Sequence, residues 1–373
     1  MSNECLISDK LSLSKNVEIV YEGNNLISVM QSDLSIIETY KCNVLVKEIF
    51  KLLHDNDETL DNLFVKLEVK NDSLKKEIIK FLFELEKKNI IENKTKLERT
   101  RPAEINRSIL ERYSSQFSFF SSFEKNKKSR FDFQKDLIQS KILILGIGGI
   151  GSIVFEGLLR SGVNNFILYD YDKVEVSNLN RQIVYTYDDI GKYKVDVAIE
   201  RAKKINSDCR IKANKIKIDR TISIETVIKD SSLVIVCCDE PNIEDIVDIV
   251  NPACVKYQKS FIVGGGYSAH IGSLPITIIP KRSICWNCYK NFIYRNNTIK
   301  SKYYKFKNTT LGSSIMPTAG IIANYTIIEA IKVITGYSKP NFTNVVSELS
   351  FTDMKVEKIS ISPDKKCQSC RNF

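Results

Sequence analysis

Residues 141–151, KILILGIGGIG, decide the fold of this chain. The first five form a short apolar run, which is typical of a strand buried in a parallel sheet. A glycine turn follows, and then a helical pattern that continues to about Arg160. In a phosphate-binding turn, Gly146 would permit the tight bend, Gly148 would let backbone N–H groups approach a phosphate, and Gly151 would let the helix pack closely. The stretch therefore predicts a strand, a phosphate-binding turn and a helix.

The next apolar run ends in a carboxylate. Asp170 lies about 24 residues after Gly146, where a Rossmann-type nucleotide site places an acid against the ribose hydroxyls. Strand, turn, helix and acid together predict nucleotide binding, and a glycine-rich turn without a ligand is the alternative. The residues of this motif that we expect to contact the nucleotide are Gly146, Gly148, Gly149, Gly151 and Asp170.

Strands and helices alternate through the rest of the chain. Residues 233–238 and 261–263 are further buried apolar runs, and residues 195–205 and 319–335 have helical spacing. This alternation predicts an α/β fold, a Rossmann-like and mostly parallel sheet with helices on both faces. We expect the domain to cover residues 141–373.

The first 95 residues predict a small separate domain. Two β-type runs, residues 17–21 and 26–30, are separated by a hairpin signal, and three helical patterns follow. Thr59 and Ser73 are the expected N-caps of the second and third helices. Two strands and three short helices form a winged-helix-like pattern, and a solvated accessory domain without a partner is the alternative.

Residues 96–140 form a charged connector that is rich in serine and phenylalanine. Its aromatic side chains indicate that the segment lies on another surface of protein and does not float in solvent. We therefore expect three regions in the chain: the domain of residues 1–95, this connector, and the domain of residues 141–373.

Composition and charge exclude several classes of protein. The chain has 373 residues, a formal charge of +10 and 43% apolar residues, which is ordinary for a globular protein and favours an acidic partner. The longest apolar runs fall far short of the roughly 18 residues of a membrane span, and the polar N-terminus has no secretory pattern. We therefore expect a cytoplasmic protein with reduced or metal-bound cysteines. The only two histidines, His54 and His270, argue against histidine as a general base.

Two further motifs follow the strand that ends at Asp170. Residues 170–182 are DYDKVEVSNLNRQ, and residues 189–194 are DIGKYK. Together with the glycine turn they resemble the ThiF/MoeB/ubiquitin-activating-enzyme superfamily, whose members adenylate a carboxylate. The resemblance covers roughly residue 141 to the C-terminus, and it implies ATP and Mg²⁺ as cofactors.

The resemblance also implies roles for individual side chains. Arg181 and Lys194 would hold and neutralise the phosphates, because adenylation brings two negatively charged groups together. Asp239 would hold Mg²⁺ with help from Asp172, and Asn178 would hydrogen-bond phosphate or ribose. The alternative is that Arg181 and Lys194 are ordinary surface charges. The expected cofactor-binding residues beyond the glycine turn are Asp170, Asp172, Asn178, Arg181, Gln182, Lys194 and Asp239.

One segment departs from the superfamily pattern. A stretch like R-Y-x-R-Q supplies an arginine finger, usually to the active site of the partner subunit, so the resemblance implies a homodimer with the connector as a contact. Here residues 112–116 are RYSSQ, and Ser115 stands at the finger position. Arg112 or Arg107 would replace the finger, or the finger is missing, which weakens stabilisation of transition-state charge. The catalytic candidates are Arg181, Lys194, Asp239 and Arg112.

Two CxxC pairs predict a metal site. Cys285 and Cys288 form one pair, and Cys367 and Cys370 form the other. Four thiolates match a tetrahedral Zn²⁺ site, and such a closed site is structural because it leaves no position open for water. A redox-active CxxC is the alternative.

Residues 281–310 are basic and aromatic and contain no aspartate or glutamate. A solvated loop is one interpretation, and nucleic-acid binding is another. By resemblance this segment crosses the substrate channel, which favours an acidic peptide or a peptide carboxylate as partner over nucleic acid. Apart from the first CxxC pair it holds no cysteine, so we expect no enzyme-bound thioester.

Within the superfamily, the chain resembles the branch of MccB and PaaA, which modifies ribosomally made antibiotic peptides. The N-terminal pattern, residues 239–242 (DEPN), residues 264–267 (GGGY) and the paired CxxC carry this resemblance. It implies ATP-dependent adenylation of a carboxylate on a precursor peptide, with release of pyrophosphate. The N-terminal domain would clamp the leader as a strand added to an edge supplied by residues 17–21 and 26–30, with the third helix as the other wall. The alternatives are an activating enzyme for a sulfur carrier or ubiquitin-like protein, a non-catalytic peptide-presenting scaffold, and an NAD-dependent enzyme.

Overall fold

The computed structural model describes residues 8–31, 36–124, 128–220, 222–240, 242–296, 313–364 and 367. The chain divides into two compact units, Met1–Phe133 and Gln134–Phe373, which are treated one at a time below. Cys370 and residues 297–310 of the basic segment lie outside the described residues.

The N-terminal unit contains short strands and helices. Its described strands are β1 (Lys10–Leu13), β2 (Val17–Gly23), β3 (Leu26–Gln31), β4 (Ile36–Lys41), β5 (Glu58–Thr59) and β6 (Ile91–Asn93). Its described helices are α1 (Val44–Asp55), α2 (Leu60–Lys66), α3 (Asp72–Lys87), α4 (Lys94–Thr100), α5 (Arg107–Arg112) and α6 (Ser114–Ser121), while α7 (Arg130–Gln139) crosses the boundary of the units. The strands form two antiparallel sheets, of orders β5-β1-β6 and β2-β3-β4.

The predicted hairpin is confirmed as the antiparallel pair β2 and β3. Asn24 and Asn25 turn the chain with φ of 48° and 59°, a region that asparagine adopts more readily than most residues. However, β3 also pairs with β4 along its length. The expectation that residues 26–30 supply a free edge for a peptide is therefore wrong, because both sides of β3 are occupied. The edges of this sheet are β2 and β4.

One predicted helix cap is confirmed and the other is wrong. The Thr59 side chain accepts a backbone N–H bond of 3.2 Å at the start of α2, as expected. At the start of α3 the cap is Asn71, whose side chain accepts from the N–H groups of Ser73 and Leu74 at 2.7 and 3.3 Å. Asparagine and serine are comparably good caps, so the sequence alone does not tell which of Asn71 and Ser73 begins the helix.

An apolar cluster packs the first part of the N-terminal unit. The inner faces of α1, α2 and α3 bury Phe50, Leu53, Leu63, Leu82 and Leu85, each at most 3% exposed. Amphipathic helices of this length depend on such packing for most of their stability. The winged-helix-like assignment of this unit stays a prediction.

The C-terminal unit has the larger set of elements. Its described strands are β7 (Lys141–Leu145), β8 (Asn165–Tyr169), β9 (Arg210–Asn214), β10 (Leu233–Val236), β11 (Phe261–Val263), β12 (Gly266–Ser268), β13 (Ile271–Ser273), β14 (Ile276–Ile278), β15 (Val345–Ser350) and β16 (Val356–Ser360). Its further described helices are α8 (Gly149–Arg160), α9 (Lys194–Ile205), α10 (Glu225–Asp230), α11 (Ile243–Lys256), α12 (Trp286–Asn296) and α13 (Met316–Thr335). Short 3₁₀ helices cover Val176–Asn178 and Tyr187–Asp189.

The main sheet of this unit has the order β14-β11-β10-β7-β8-β9. All neighbouring pairs are parallel except β11 with β14. The chain leaves β7 toward β8 on one side and later returns to place β10 on the other side. Such a reversal of strand order opens a crevice at the carboxyl ends of the strands, where α/β proteins bind ligands.

Helices cover both faces of the main sheet. Leu143, Val234 and Val236 belong to a cluster with residues of α10 and α11. Phe166 points to the opposite face, where its ring lies 4.9 Å from that of Phe155 on α8. The predicted α/β fold, a mostly parallel sheet between helices, is confirmed.

A second, antiparallel sheet of order β12-β13-β15-β16 extends the unit. Helix α13 packs against α8, where Ile327 approaches Gly157 so closely that a Cβ there would lie 2.4 Å from it. Within the described ranges, α13 is the one helix long and apolar enough to cross a membrane, and 61% of its apolar window is buried in the fold. A core helix passes the same test of length and composition.

Candidate nucleotide and metal sites

A cavity of about 710 Å³ lies at the carboxyl ends of β7, β8 and β10. It falls at the point where the strand order reverses, as expected for a ligand site in this class of fold. The structure brings together around it nearly all the residues that the sequence assigns to a nucleotide, Gly151 excepted. The assigned residues that line it are Gly146, Gly148, Gly149, Asp170, Asp172, Asn178, Arg181, Gln182, Lys194 and Asp239.

The glycines of the turn have different surroundings. Gly146 has φ of +90°, and a Cβ on it would lie 2.7 Å from the backbone nitrogen of Cys238. A Cβ on Gly151 would lie 1.9 Å from the carbonyl oxygen of Gly146. Gly148 faces open space, with no atom closer than 4.0 Å to its Cβ position. Gly146 and Gly151 therefore allow backbone segments to approach closely, and Gly148 leaves room on the cavity side.

Asp170 is held by the turn itself. Its two carboxylate oxygens accept the N–H groups of Ile147 and Asp172 at 2.7 and 2.8 Å, and the side chain is 8% exposed. Burial raises the pKa of Asp170, while the charge of Lys194 and the two N–H bonds oppose that rise. A carboxylate has about four lone-pair positions, so two remain for ribose hydroxyls.

The two predicted phosphate ligands line the same cavity. Lys194 begins α9, is 5% exposed, and places its Nζ 2.7 Å from an oxygen of Asp172. Arg181 donates from one nitrogen to the carbonyl of Ser177 at 2.8 Å and to the amide oxygen of Asn180 at 2.9 Å. A guanidinium has five N–H donors in a fixed fork, so these contacts orient it and leave donors for phosphate.

Asp172 and Asn178 have structural contacts besides their predicted roles. Asp172 is paired with Lys194, which competes with any part it takes in holding Mg²⁺. The Asn178 side chain accepts the N–H of Glu175 at 3.2 Å and so caps its own 3₁₀ helix. Both residues remain on the cavity wall, and their roles toward a nucleotide stay predictions.

Gln182 is a buried member of the cavity wall. It is 3% exposed, and its Oε1 has no hydrogen-bond partner among the described residues. A buried acceptor without a partner costs about 1–3 kcal/mol.

Sequence reasoning assigned no role to many residues of the cavity wall, among them the polar residues Tyr171, Lys217, Glu240 and Tyr267. Tyr171 and Lys217 both hydrogen-bond the carboxylate of Glu240, the latter at 3.1 Å. Tyr171 and Glu240 come directly after Asp170 and Asp239, so their position at strand ends was a usable signal. Tyr267 follows three glycines far along the chain, and no local pattern ties it to the turn.

The finger candidates lie in the N-terminal unit. Arg107 and Arg112 are on α5, and Ser115 is on α6. Arg107 forms an exposed ion pair of 3.1 Å with Glu111, and the guanidinium of Arg112 lies 5.6 Å from the ring of Tyr113. Their role in catalysis stays a prediction.

Part of the basic segment is described, and two of its basic side chains form ion pairs there. Residues 286–296 form helix α12. Lys290 binds Asp248 of α11 at 2.7 Å, and Arg295 binds Asp364 at 2.9 Å. In this described part, Lys290 and Arg295 of α12 are therefore paired within the fold, and Lys290 also lines the cavity.

Three of the four predicted metal ligands come together. The sulfurs of Cys285, Cys288 and Cys367 lie within 4.8 Å of one another, and all three residues are buried. The sulfurs of Cys285 and Cys367 are 3.5 Å apart, near the roughly 3.8 Å expected between thiolates around tetrahedral Zn²⁺. The N–H of Asp364 donates to the sulfur of Cys288 at 3.4 Å. The donor set and its spacing fit zinc, and Cys370 lies outside the described residues.

Residues 113–371 match the model of the ThiF family. Because the match covers well over half of the sequence, the chain belongs to the ThiF family.

Named relatives fall within this family. The adenylyltransferase and sulfurtransferase UBA4 of Scheffersomyces stipitis is 28% identical over 247 residues, 64% of this chain and 52% of that protein. The molybdopterin-synthase adenylyltransferase of Escherichia coli is 25% identical over 241 residues, 64% of this chain and 90% of that protein. The chain spans about half the length of the first curated relatives that it matches.

Solved structures share the fold over nearly the whole chain. The structure of E. coli MccB with ATP has a TM-score of 0.71 at 23% identity, covering 97% of this chain and 99% of that chain. The structure of PaaA has a TM-score of 0.73 at 20% identity, covering 93% and 98%. At these identities the likeness establishes the fold.

Proposed function

We propose that this chain uses MgATP to adenylate a carboxylate on a ribosomally made peptide during biosynthesis of a modified peptide natural product. The observation that carries the proposal is the convergence of the glycine turn, Asp170, Arg181, Lys194 and Asp239 on one cavity. Curated relatives are named adenylyltransferases, and solved structures of similar fold contain ATP or the peptide MccA.

The reaction joins two negatively charged groups. A carboxylate oxygen attacks the α-phosphorus, a new oxygen–phosphorus bond forms, the bond to the β-phosphate oxygen breaks, and pyrophosphate leaves. Arg181 and Lys194 offset the phosphate charge from the cavity wall. Asp239, an exposed carboxylate, and Asp172 would hold Mg²⁺, which draws negative charge from the phosphate oxygens when bound. No proton is transferred in this step, which suits a cavity wall whose described residues include no histidine.

We propose that the N-terminal unit holds the leader of the peptide. Within the described part of that unit, Lys88 at the end of α3 bonds Glu38 and Tyr40 of β4 at 2.7 and 3.0 Å. This contact puts α3 beside the β4 edge, where Ile37 is 63% exposed. An extended leader added along β4 would satisfy its own backbone hydrogen bonds and cover the exposed apolar side chain.

We further propose a structural Zn²⁺ at Cys285, Cys288, Cys367 and Cys370, a homodimer in which the segment of residues 96–140 is a contact, and a cytoplasmic location. No disulfide joins the cysteines of the described residues, which agrees with a reducing compartment. Since the basic segment adds no cysteine to the CxxC pair, the acyl group would not pass to an enzyme thiol.

A second candidate function is activation of a sulfur carrier or ubiquitin-like protein. The match to the E. coli molybdopterin-synthase adenylyltransferase, over 90% of that protein, favours it. The N-terminal unit favours the peptide instead, because MccB shares the fold over 97% of this chain. A non-catalytic scaffold would keep this fold and bind no nucleotide.

The first experiment measures binding of MgATP and of NADH by calorimetry to the wild-type protein, to Arg181→Ala and to Arg160→Ala. We expect MgATP binding, no NADH binding, and about 100-fold weaker MgATP binding for Arg181→Ala, since one charged phosphate contact is lost. Arg160, an exposed residue of α8 that pairs with Glu156, is the matched control and should bind as the wild type does. No nucleotide binding favours the scaffold, and NADH binding alone contradicts the adenylation proposal.

The second step separates the two substrate classes. Pyrophosphate release is measured with a precursor peptide encoded beside the gene and with a sulfur-carrier protein. The variant Ile37→Asp should weaken peptide-dependent release, and Val20→Asp on the β2 edge should not. Release with the carrier protein alone favours the second candidate.

A further inference from the structure

Tyr267 ends the GGGY stretch of residues 264–267, and no role in the site follows from that stretch alone. It lies on β12, a strand of the second sheet, and its side chain reaches the wall of the nucleotide cavity. Its partly buried side chain therefore extends from the second sheet to the start of α8.

The Tyr267 hydroxyl lies against the first residue of α8. A Cβ on Gly149 would come within 2.3 Å of this oxygen and 3.5 Å of the ring carbon that bears it. The first N–H groups of a helix have no partner within the helix, and they attract anions. The cavity beside the start of α8 is lined by ten of the residues that the sequence assigns to a nucleotide, which independently supports a nucleotide at this place.

Two side chains hydrogen-bond the Tyr267 hydroxyl, those of Arg181 and Ser314. A guanidinium can only donate, so Arg181 occupies a lone pair of the phenol oxygen and not its hydrogen. The Ser314 hydroxyl can donate or accept, and a bound phosphate is a stronger acceptor for the phenol hydrogen than this neutral hydroxyl. Burial raises the pKa of Tyr267 and outweighs the opposite influence of Arg181, which keeps the phenol protonated at neutral pH.

We propose that Tyr267 donates its phenolic hydrogen to a phosphate oxygen of the nucleotide bound at the start of α8. Tyr267 and Arg181 then hold the phosphates from two sides, one as a neutral donor and one as a cation. The inference rests on the proposed function, and it assigns a binding residue to the same site. The proton stays on the tyrosine, because adenylation needs only a shift of charge onto phosphate oxygens.

The test compares MgATP with adenosine as calorimetric probes of Tyr267→Phe. We expect MgATP binding to weaken about tenfold, as for loss of a hydrogen bond to a charged group, and adenosine binding to stay unchanged. Tyr257→Phe is the matched control, since its hydroxyl donates to Glu225 at 2.7 Å and Tyr257 is not among the residues that line the cavity.

Three results would overturn the inference. Unchanged MgATP affinity means that the hydroxyl makes no phosphate contact. An equal loss for MgATP and adenosine means that Tyr267 only shapes the cavity. A wild-type protein that binds neither probe contradicts the proposed function as well, which distinguishes that failure from the first two.

A second measurement tests where the hydroxyl lies. Gly149→Ala puts a methyl group against the Tyr267 oxygen and should lower the urea midpoint of unfolding. Adding Tyr267→Phe removes that oxygen and leaves an ordinary contact of 3.5 Å, so the double variant should recover the midpoint while MgATP binding stays weak. A double variant no more stable than Gly149→Ala would contradict the placement.

Discussion

The two units of this chain specify their structures in different ways. In the C-terminal unit, Gly146 and Gly151 meet backbone atoms so closely that no side chain fits. In the N-terminal unit, α1, α2 and α3 need only apolar residues at helical spacing, which many sequences satisfy. Close backbone approach dictates the identity of a residue, whereas packing dictates only its class. Close backbone approach is therefore recognisable in the sequence as a motif. Packing is recognisable only as a periodic pattern of apolar residues.

Loss of the proposed zinc should give the largest difference in stability between the two units. Cys285→Ser takes one of the buried thiolates from the cluster, and we expect zinc content to fall from about one ion per chain to none. Because metal binding contributes directly to folding, the C-terminal unit should lose on the order of 5 kcal/mol of stability. Elemental analysis and urea unfolding measure the two effects.

Cys254→Ser is the control for that variant. Cys254 is equally buried but lies in the main core cluster, away from the other sulfurs. Its variant should lose some stability and keep its zinc. If Cys285→Ser also keeps zinc, the cysteine cluster is not a metal site and the two units do not differ in this respect.

A glycine substitution tests the rule of close approach. Gly151→Ala would place a methyl group 1.9 Å from the Gly146 carbonyl oxygen, and we expect a loss of about 3 kcal/mol in urea unfolding. Gly320→Ala in α13 is the control, since its nearest neighbour is the methyl carbon of Met316 at 3.6 Å. That variant should be neutral or more stable by about 0.5 kcal/mol. Equal losses would mean that the turn tolerates side chains.

The smallest expected effect concerns the start of α3 in the N-terminal unit. Asn71→Ala removes the side chain that accepts two backbone N–H bonds, and it should cost about 1 kcal/mol of unfolding free energy. Ser73→Ala should change stability by only about 0.3 kcal/mol, since an exposed residue of the first turn loses no cap. If Ser73→Ala lost more stability than Asn71→Ala in thermal or urea unfolding, Ser73 would be the cap, as expected from sequence.

The nucleotide side of the site was predictable because its residues occur in short, ordered motifs. The glycine turn, Asp170, Arg181 and Lys194 all fall within about 50 residues of one another. The motif did not show that Asp172 would pair with Lys194 or that Asn178 would cap its own helix. Those contacts depend on side-chain geometry, which spacing alone does not fix.

The elements that sequence missed are short or depend on distant partners. Strands β1 and β6 have only a few residues each and gain their stability by pairing with each other. Strand β4 turns β3 from an edge into a central strand, a change that no pattern within residues 26–30 records. Tyr267 likewise reaches Gly149 only because β12 returns beside the turn.

The cysteine cluster has a consequence in terms of chain entropy. Cys285 and Cys367 are 82 positions apart, and the chain between them includes α13, β15 and β16. A metal there closes this span into a loop, and the entropy of the open chain is lost mainly from the unfolded state. Helix α12, which carries Cys288, also carries Tyr289 on the cavity wall. A metal bound by the cysteine cluster would therefore oppose both the unfolding of β16 and the loosening of the cavity wall.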